Sequence, residues 1–433
     1  MRPKRNRRPA ADKSAAERFS QPPSSSIGEY SRLAATAFSH DLTADLHALV
    51  VGAGALGNEV IKNLALLGVG HLCIVDRDHV ERSNLTRSIL FCIPEIEHHL
   101  RQKTPKAELA AKRVTEINPD VDCTFFTGEI ADFGLGRLRR SDIVFSCLDN
   151  ELGRLELSWA CNRLNKPLVD GGLGLINSSS GLVSLLPGAD GPCYACRKGS
   201  KRRGQLLQEL YGREDPCWVE AGQQKDQGFI SSTPLMASLI GSLQVDVGLR
   251  HCLEGGGDCG KGRSYKVATH PQPDLQLLEF ERSPHCPLHQ PESYMQEVIE
   301  MTEHGSPQWT PAELFQELGE GPCQLSIDWP RTVRASCREC HFEWRPMMRR
   351  ARFRNSSCPH CGSMDVAEAE VLSALPADSP WAACTFTELG FPLGHIYEVA
   401  IGSGDSLRRV HIELTKDLKS PERRVLRRGA GRG

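Results

Sequence analysis

Three glycines and an aspartate in the first part of the chain have the spacing of a nucleotide-binding site. Gly52, Gly54 and Gly57 follow an apolar run that predicts a buried strand, and they open a segment with helical periodicity. Glycine lets the backbone approach a phosphate closely, and the first turn of a helix offers free N–H groups to an anion. Asp76 ends the next predicted strand, where a carboxylate can accept from ribose hydroxyls. The pattern predicts a mononucleotide or dinucleotide site, the alternative being glycines that serve only the strand–helix junction.

Polar and charged residues near this motif favour a triphosphate. They are Asp78, Asn84, Arg87, Lys106 and Asp149. The cations Arg87 and Lys106 can neutralise phosphate charge, and the carboxylate of Asp149, which follows a later buried strand, can hold Mg²⁺. The chain lacks a Gly-x-x-x-x-Gly-Lys-Ser/Thr loop, so the sequence excludes a P-loop ATPase. We therefore expect ATP and Mg²⁺ at this site.

Two Cys-x-x-Cys pairs near the C-terminus have the spacing of a zinc ribbon. Cys337, Cys340, Cys358 and Cys361 form the pattern Cys-x₂-Cys-x₁₇-Cys-x₂-Cys. Four thiolates hold one Zn²⁺, and the metal supplies folding energy that so small a module cannot obtain from a core. The aromatic and basic residues between the pairs could bind nucleic acid. They are equally well explained as strands of the ribbon with solvated edges, which is the interpretation we favour.

A second zinc site is predicted from two pairs that lie far apart in the sequence. Cys193 and Cys196 form one half of a zinc knuckle, and Cys286 and His289 fit as the other half. Four protein ligands leave no open position on the metal, so the predicted role is structural. The alternative is a set of buried thiols without a metal.

Cys217 is a candidate nucleophile. It lies in a loop-like segment, 215–222, ahead of a helix predicted to start near Ser232-Thr-Pro234. A thiol in a loop before a helix can be exposed and have a lowered pKa. The alternative is a structural or incidental cysteine.

Strand and helix patterns alternate along the first two thirds of the chain. Short apolar runs at 46–51, 71–76 and 142–147 predict buried strands, and 58–67 and 106–117 have the periodicity of amphipathic helices. This alternation predicts βαβ units, and hence an α/β fold with a Rossmann-like, mostly parallel sheet flanked by helices.

Composition and patterning divide the chain into five parts. They are a disordered basic tail at 1–26, an α/β domain at 27–295, a linker at 296–322, a small zinc-ribbon and β-rich module at 323–418, and a basic tail at 419–433. Within the β-rich module, 385–390, 395–401 and 408–414 are predicted strands.

The overall composition excludes several classes of protein. With 433 residues, 39% of them hydrophobic, and a net charge of -2, the chain can bury a sizeable core and is not globally basic. It has no run of the ~20 apolar residues that a membrane helix needs. No apolar segment follows the basic start, so we expect no secretory signal. Cys-x-x-Cys pairs in such a chain are typical of metal binding in a reducing compartment, and we expect a cytoplasmic protein without a membrane partner.

The ordered motifs resemble those of the superfamily of ThiF, MoeB, HesA and the ubiquitin-activating enzymes. The resemblance spans about 30–289 and rests on the stretches Val51-Gly-Ala-Gly-Ala-Leu-Gly57, Asp76 to Ser-Asn84-Leu-Thr-Arg87, Pro105-Lys106-Ala-Glu and Cys147-Leu-Asp149-Asn150. It implies that Asp76 holds the ribose and that Asp149 binds Mg²⁺. It also implies that Asn84, Arg87 and Lys106 bind the triphosphate.

The resemblance carries further expectations about the subunits and cysteines. Tyr30-Ser-Arg32 is similar to a Tyr-x-Arg motif whose arginine reaches the partner subunit's site, which implies a catalytic Arg32 and a homodimer. The family pattern places a zinc at the Cys193 and Cys286 pairs, usually with a cysteine where this chain has His289. Many members carry an acyl-accepting cysteine where Cys217 lies, whereas others make only the adenylate.

The implied function is ATP-dependent adenylation of the C-terminal carboxylate of a small ubiquitin-like protein that ends in glycine. A thioester at Cys217 would follow, with a conjugating-enzyme-like partner or a sulfur-transfer partner downstream. Two alternatives stay open. An NAD-dependent oxidoreductase would leave Arg87, Lys106 and Asp149 without a role, and a non-catalytic scaffold would not need them intact.

Overall fold

Two β-sheets, one of nine strands and one of seven, organise the part of the chain that the structure describes. This computed structural model describes residues 30, 32–33, 36–174, 179–188, 191–211, 233–254, 261–286, 288–289, 295, 297–301, 308–319, 322–392, 394–403, 406–414 and 423–424.

The strands, in chain order, are β1 (His47–Val51), β2 (His71–Asp76), β3 (Asp122–Thr127), β4 (Ile143–Ser146), β5 (Leu168–Leu173), β6 (Ser180–Leu186), β7 (Lys261–Ala268), β8 (Asp274–Glu281), β9 (Val298–Met301), β10 (Cys323–Cys337), β11 (Glu343–Trp344), β12 (Met348–Arg349), β13 (Val366–Pro376), β14 (Ile396–Ile401), β15 (Arg408–Leu414) and β16 (Arg423–Arg424). The helices are α1 (His40–Thr43), α2 (Ala55–Leu66), α3 (Ile96–Gln102), α4 (Lys106–Ile117), α5 (Ile130–Phe133), α6 (Leu135–Leu138), α7 (Glu151–Arg163), α8 (Ser200–Tyr211), α9 (Pro234–Leu253), α10 (Pro311–Glu317) and α11 (Arg350–Phe353).

The centre of the nine-stranded sheet is parallel and has the strand order β3-β2-β1-β4-β5. The chain runs outward from β1 to β3 and then crosses back to place β4 on the other side of β1. The carboxyl ends of β1 and β4 therefore flank a topological switch point, where ligands of open α/β sheets bind. The prediction of a Rossmann-like α/β fold is confirmed. Beyond β5 the sheet continues through β6, β7 and β8, which pair antiparallel.

Helices cover both faces of this sheet. On one face α2, α4 and α9 bury apolar side chains such as Val60, Leu109 and Ile240 in one core. On the other face α7 contributes Leu155 and Leu157 to a second core. The predicted start of α9 is confirmed, because Thr233 caps it by accepting from the Met236 N–H at 3.2 Å.

The seven-stranded sheet is built around the long strand β10, which pairs with β11, β12, β13 and β14. β15 pairs antiparallel with β14, and β9 pairs parallel with β15. The helix α10 adds Leu314 and Phe315 to the core of this unit. Both β9 and α10 lie within 296–322, so the segment predicted as a linker contributes a strand and a helix to the second unit.

Two further expectations differ from the structure. The strand predicted at 385–390 is wrong, because this segment forms turns. Thr385 and Glu388 form a reciprocal cap, in which the Glu388 carboxylate accepts from the Thr385 N–H at 2.8 Å and Thr385 Oγ1 accepts from the Glu388 N–H at 3.1 Å. In the predicted tail at 419–433, β16 pairs antiparallel with β3 at the edge of the first sheet. Among the described residues, no helix is long and apolar enough to cross a membrane.

Candidate active site and metal centres

The three glycines of the loop after β1 serve different purposes. Gly52 has a φ of 100°, and a Cβ there would lie 2.6 Å from the carbonyl oxygen of Cys147. A Cβ on Gly57 would lie 1.9 Å from the carbonyl oxygen of Gly52. Packing therefore demands glycine at both positions. At Gly54, the N-cap of α2, a Cβ would meet no described atom within 4 Å. The space beside Gly54 is free for a ligand at a helix N-terminus.

Asp76 ties the end of β2 to the glycine loop. Its Oδ2 accepts from the Ala53 N–H at 2.6 Å, and its Oδ1 accepts from the Asp78 N–H at 2.7 Å. Burial raises the pKa of Asp76, while these two N–H groups and Lys106 act in the opposite direction. Each carboxylate oxygen keeps a second lone pair, so a ribose hydroxyl could still donate to it. Contact of Asp76 with a ribose stays a prediction.

Lys106 is the first residue of α4, and the structure brings it to the end of β2. Its Nζ lies 3.0 Å from Asp78 Oδ2, and its backbone N–H donates to the Asp78 carbonyl at 2.9 Å. Asn84 closes a short 3₁₀ turn by accepting from the Glu81 N–H at 2.9 Å, and the N–H of the half-buried Arg87 donates to the Asn84 carbonyl. The fold thus fixes the backbone of Asn84 and Arg87 in one local turn.

Asn58 is a residue of this site that the sequence reasoning missed. It is fully buried on α2, and its Nδ2 donates to the carbonyls of Ala53 and Gly54 at 2.8 and 3.0 Å. Its Oδ1 accepts from the Leu90 N–H at 2.9 Å. One side chain therefore joins the glycine loop to the segment that follows Arg87. The only signal in the sequence is a polar residue next to Gly57, in a helix whose buried residues are mostly apolar.

Asp149 follows β4 and is exposed at the switch point. Its neighbour Asn150 caps α7 by accepting from the Gly153 N–H at 2.7 Å. Arg154, which the sequence reasoning also missed, donates to the Leu148 carbonyl and forms an ion pair with Asp170 at 2.7 Å. This buried pair holds the turn that carries Asp149. The sequence signal for Arg154 is its position, one turn into the helix that follows Asp149.

Two predicted catalytic residues are not brought to this site within the described part of the chain. Arg32 lies in an exposed turn, and its role in a partner subunit stays a prediction. Cys217 lies outside the residues that the structure describes.

The first predicted metal centre is formed by residues that follow β6 together with residues that follow β8. Cys193 precedes a 3₁₀ turn after β6 that contains Cys196, and Cys286 and His289 follow β8. The Sγ atom of Cys193 lies 3.7 Å from that of Cys196 and 3.7 Å from that of Cys286, and Cys196 Sγ lies 3.2 Å from His289 Nε2. A tetrahedron with Zn–S bonds of about 2.3 Å has edges of about 3.8 Å. These four atoms therefore fit Zn²⁺.

The second predicted centre lies where β10 ends and β13 begins. The Sγ atoms of Cys337 and Cys361 are 3.6 Å apart, as are those of Cys340 and Cys358. All four ligand atoms lie within 4.8 Å of one another. Four sulfur atoms at these separations are the donor set of a structural zinc site.

The family comparison covers the segment that holds the nucleotide loop and three of the four ligands of the first metal centre. The model of the ThiF family matches residues 30–287, more than half of the chain. The chain is similar to the molybdopterin-synthase adenylyltransferase of Escherichia coli, with 31% identity over 246 residues, which are 56% of this chain and 86% of the relative.

Two other relatives match a shorter stretch. The sulfur carrier protein ThiS adenylyltransferase of Escherichia coli is 34% identical over 153 residues, which are 35% of this chain and 58% of the relative. The SAMP-activating enzyme E1 of Haloferax volcanii is 38% identical over 149 residues, which are 34% of this chain and 52% of the relative. The chain spans just over half the length of these two relatives.

Proposed function

This chain belongs to the ThiF family, and we propose that it is an enzyme that uses ATP to adenylate the C-terminal carboxylate of a small ubiquitin-like protein. One observation carries the proposal. The open N-terminus of α2 at Gly54, the cation Lys106 and the carboxylate Asp149 all lie at the carboxyl ends of the parallel strands, around the switch point. The names of the relatives, which refer to a sulfur carrier protein and to molybdopterin synthase, support a protein substrate of this class.

The chemistry needs positioning and charge neutralisation. A carboxylate is a poor acyl donor because its oxide is a bad leaving group. In the proposed step, a carboxylate oxygen attacks the α-phosphorus of ATP, the bond from that phosphorus to the bridging oxygen breaks, and pyrophosphate leaves. Arg87 and Lys106 stabilise the negative charge that develops on the phosphates, and the backbone N–H groups at Gly54 orient them. Asp149 would hold Mg²⁺, which neutralises charge on the leaving pyrophosphate.

The second step of the proposal is acyl transfer to the Cys217 thiolate, which displaces AMP and forms a thioester. Its support is the position of Cys217 in the loop ahead of α9. A conjugating enzyme or a sulfur-transfer protein would then take the acyl group or its product. A homodimer, in which Arg32 completes the site of the other subunit, is part of the same proposal.

The two cysteine centres have a structural role in this proposal. Each places four ligand atoms around one position, so Zn²⁺ there would have no open coordination site for a substrate. The first centre fixes the crossover between β6 and β8, and the second fixes the ends of β10 and β13.

The experiment that tests the proposal detects the adenylate itself. The full-length chain with Cys217→Ala, in which no thioester step displaces the labelled AMP, is incubated with α-labelled ATP and a ubiquitin-like protein that ends in Gly-Gly, chosen from the neighbouring reading frames. We expect label on the ubiquitin-like protein that hydroxylamine removes, since hydroxylamine cleaves acyl phosphates. The matched control is the same partner without its terminal glycine. If the intact partner gains no label while the chain is folded and binds ATP, the proposed function is wrong.

A further inference from the structure

A cavity lies between the two units, away from the nucleotide loop. It has a volume of about 50 Å³ and is enclosed by α5, α6 and α7 on one side and by β10, β12 and the segment before β14 on the other. Trp159, Trp329 and Phe391 form aromatic parts of its wall. A single buried water needs about 10–15 Å³. The cavity therefore has room for several waters or for a small ligand.

The wall contains a buried cation, Arg331, with no carboxylate in ion-pair contact among the described residues. Asp132 and Asp328 act on it from farther away. Arg331 is 7% exposed, and its guanidinium lies 4.5 Å from the ring centre of Phe391. Its one hydrogen bond is a long one, 3.5 Å, to the Leu389 carbonyl, and its Nε has no partner among the described residues. Within the described part of the chain, no carboxylate forms an ion pair with it. Burial, and then the nearby Arg349, lower its pKa to about 10, so it remains charged at neutral pH.

The carboxylates in the wall are already engaged. Asp328 accepts from Arg163 at 2.8 Å and lies 3.1 Å from His395 Nε2, and Glu156 pairs with Arg349. One further donor in the wall, Arg349 Nε, remains without a partner among the described residues. Buried donors normally have hydrogen-bond partners, and a buried donor without one destabilises a protein. The wall thus has two buried guanidinium donors without a partner among the described residues, Nε of Arg331 and Nε of Arg349.

We infer that this cavity binds a small oxyanion, the carboxylate or phosphate group of an organic molecule, which pairs with Arg331 and accepts from Arg349. The aromatic rings of Trp159 and Trp329 would pack against the rest of the molecule. The site is separate from the nucleotide site and shares no residue with it. A ligand there contacts both units, so its binding would stabilise their docked arrangement.

Equilibrium dialysis tests this inference with labelled inorganic phosphate and, separately, labelled acetate, on the full-length, zinc-loaded chain. The two probes distinguish a phosphate ligand from a carboxylate ligand. Because the nucleotide site also binds phosphate, we include Lys106→Met, which should keep binding in the cavity. Arg331→Met should lower that binding by roughly tenfold or more, since a charge-assisted pair is lost. Arg338→Met, at an exposed arginine of the ribbon, is the matched control and should bind as the wild type does.

Three outcomes would overturn the inference. They are no binding of either probe to Lys106→Met, unchanged binding by Arg331→Met, and equal loss in the Arg338→Met control. Because Arg331 is buried and its replacement can affect folding, a second measurement uses the wild type alone. Crystals soaked in selenate should show an anomalous peak in the cavity beside Arg331. A cavity that holds only ordered water in such crystals would contradict the inference.

Discussion

The ammonium Nζ of Lys106 lies 3.0 Å from Oδ2 of Asp78, at the mouth of the glycine loop. The side chain of Lys106 is only 11% exposed, whereas that of Asp78 is 52% exposed. A charge that is enclosed in this way is costly unless it has a partner of opposite sign. Asp78 supplies one before nucleotide binds, and phosphate oxygens would compete for the same ammonium afterwards. The pair keeps a cation in place where phosphate charge would develop in the proposed reaction.

The first prediction concerns this cation. Lys106→Met should lower ATP–pyrophosphate exchange by roughly 10²-fold or more, because it removes charge stabilisation of the leaving phosphates. Lys112→Met, which alters an exposed lysine on the same helix, is the control and should keep normal exchange. Equal rates in the two variants would show that Lys106 has no part in the chemistry.

The second prediction separates the glycine that faces the ligand from one that packs. Gly57→Ala places a Cβ against the Gly52 carbonyl and should destabilise the fold by ~1–3 kcal/mol, as overpacking does. Gly54→Ala meets no described atom, so thermal unfolding should change little. The same variant should weaken ATP binding by roughly tenfold, about 1.4 kcal/mol, because the methyl group fills the phosphate position. Calorimetric titration with ATP and thermal unfolding measure both effects. Unchanged ATP affinity in Gly54→Ala would contradict the placement of the phosphates.

The third prediction concerns Asp149. Asp149→Asn should reduce adenylation by roughly 10²-fold or more if its carboxylate holds Mg²⁺, because the amide is a weaker ligand for a hard cation. Raising the Mg²⁺ concentration should recover part of the rate, which a purely structural role would not allow. Asp120→Asn, at another exposed aspartate, is the control. A variant with wild-type exchange at low Mg²⁺ would rule out the metal assignment.

The fourth prediction is a stoichiometry. Elemental analysis of folded protein should find two zinc ions per chain, one for each cluster of ligands. Cys337→Ser should lower the count to one and unfold mainly the C-terminal ribbon, because such modules fold around their metal. Hydrogen exchange should then increase around β10 and β13 and stay unchanged around β1 and β4. A wild-type chain with no zinc would refute both centres.

The fifth prediction separates the two chemical steps. Adenylation needs ligands for phosphate and metal but no thiol, so Cys217→Ala should keep ATP–pyrophosphate exchange. The same variant should lose any adduct with the ubiquitin-like protein that a reducing agent cleaves. Cys252→Ala, at a half-buried cysteine of α9, is the control and should keep both. If Cys217→Ala still forms the adduct, another thiol accepts the acyl group.

The sequence predicted those parts of the site that depend on local spacing. The loop from Gly52 to Gly57, the carboxylate at the end of β2 and the cysteine pairs at each half of the metal centres are all short-range patterns. Their physical causes, a positive φ, a strand end and a turn between two ligands, act over a few residues. For this reason the amino-acid pattern alone is enough to predict the fold class and each pair of metal ligands. Joining the Cys193 pair to the Cys286 pair, which lie 93 residues apart, also drew on the family resemblance.

The parts that were missed depend on contacts between distant segments. Asn58 joins two loops through one amide, and Arg154 acts through Asp170 on the next strand. Contacts of this kind leave no repeating pattern of residue types in the sequence. Likewise β9 has little burial of its own and is a strand because β15, more than a hundred residues later, pairs with it. At 385–390, a reciprocal cap between Thr385 and Glu388 prevailed over the strand propensity of its apolar and β-branched residues.

The most direct test of the central claim is ATP–pyrophosphate exchange in the presence and absence of the ubiquitin-like protein. Because adenylation is reversible while the adenylate stays bound, labelled pyrophosphate should enter ATP only when a partner with an intact C-terminal glycine is present. Amidation of that C-terminus should abolish the exchange, since it removes the attacking carboxylate. Exchange that proceeds equally well without any partner, or that is absent with a partner shown to bind the chain, would contradict the account.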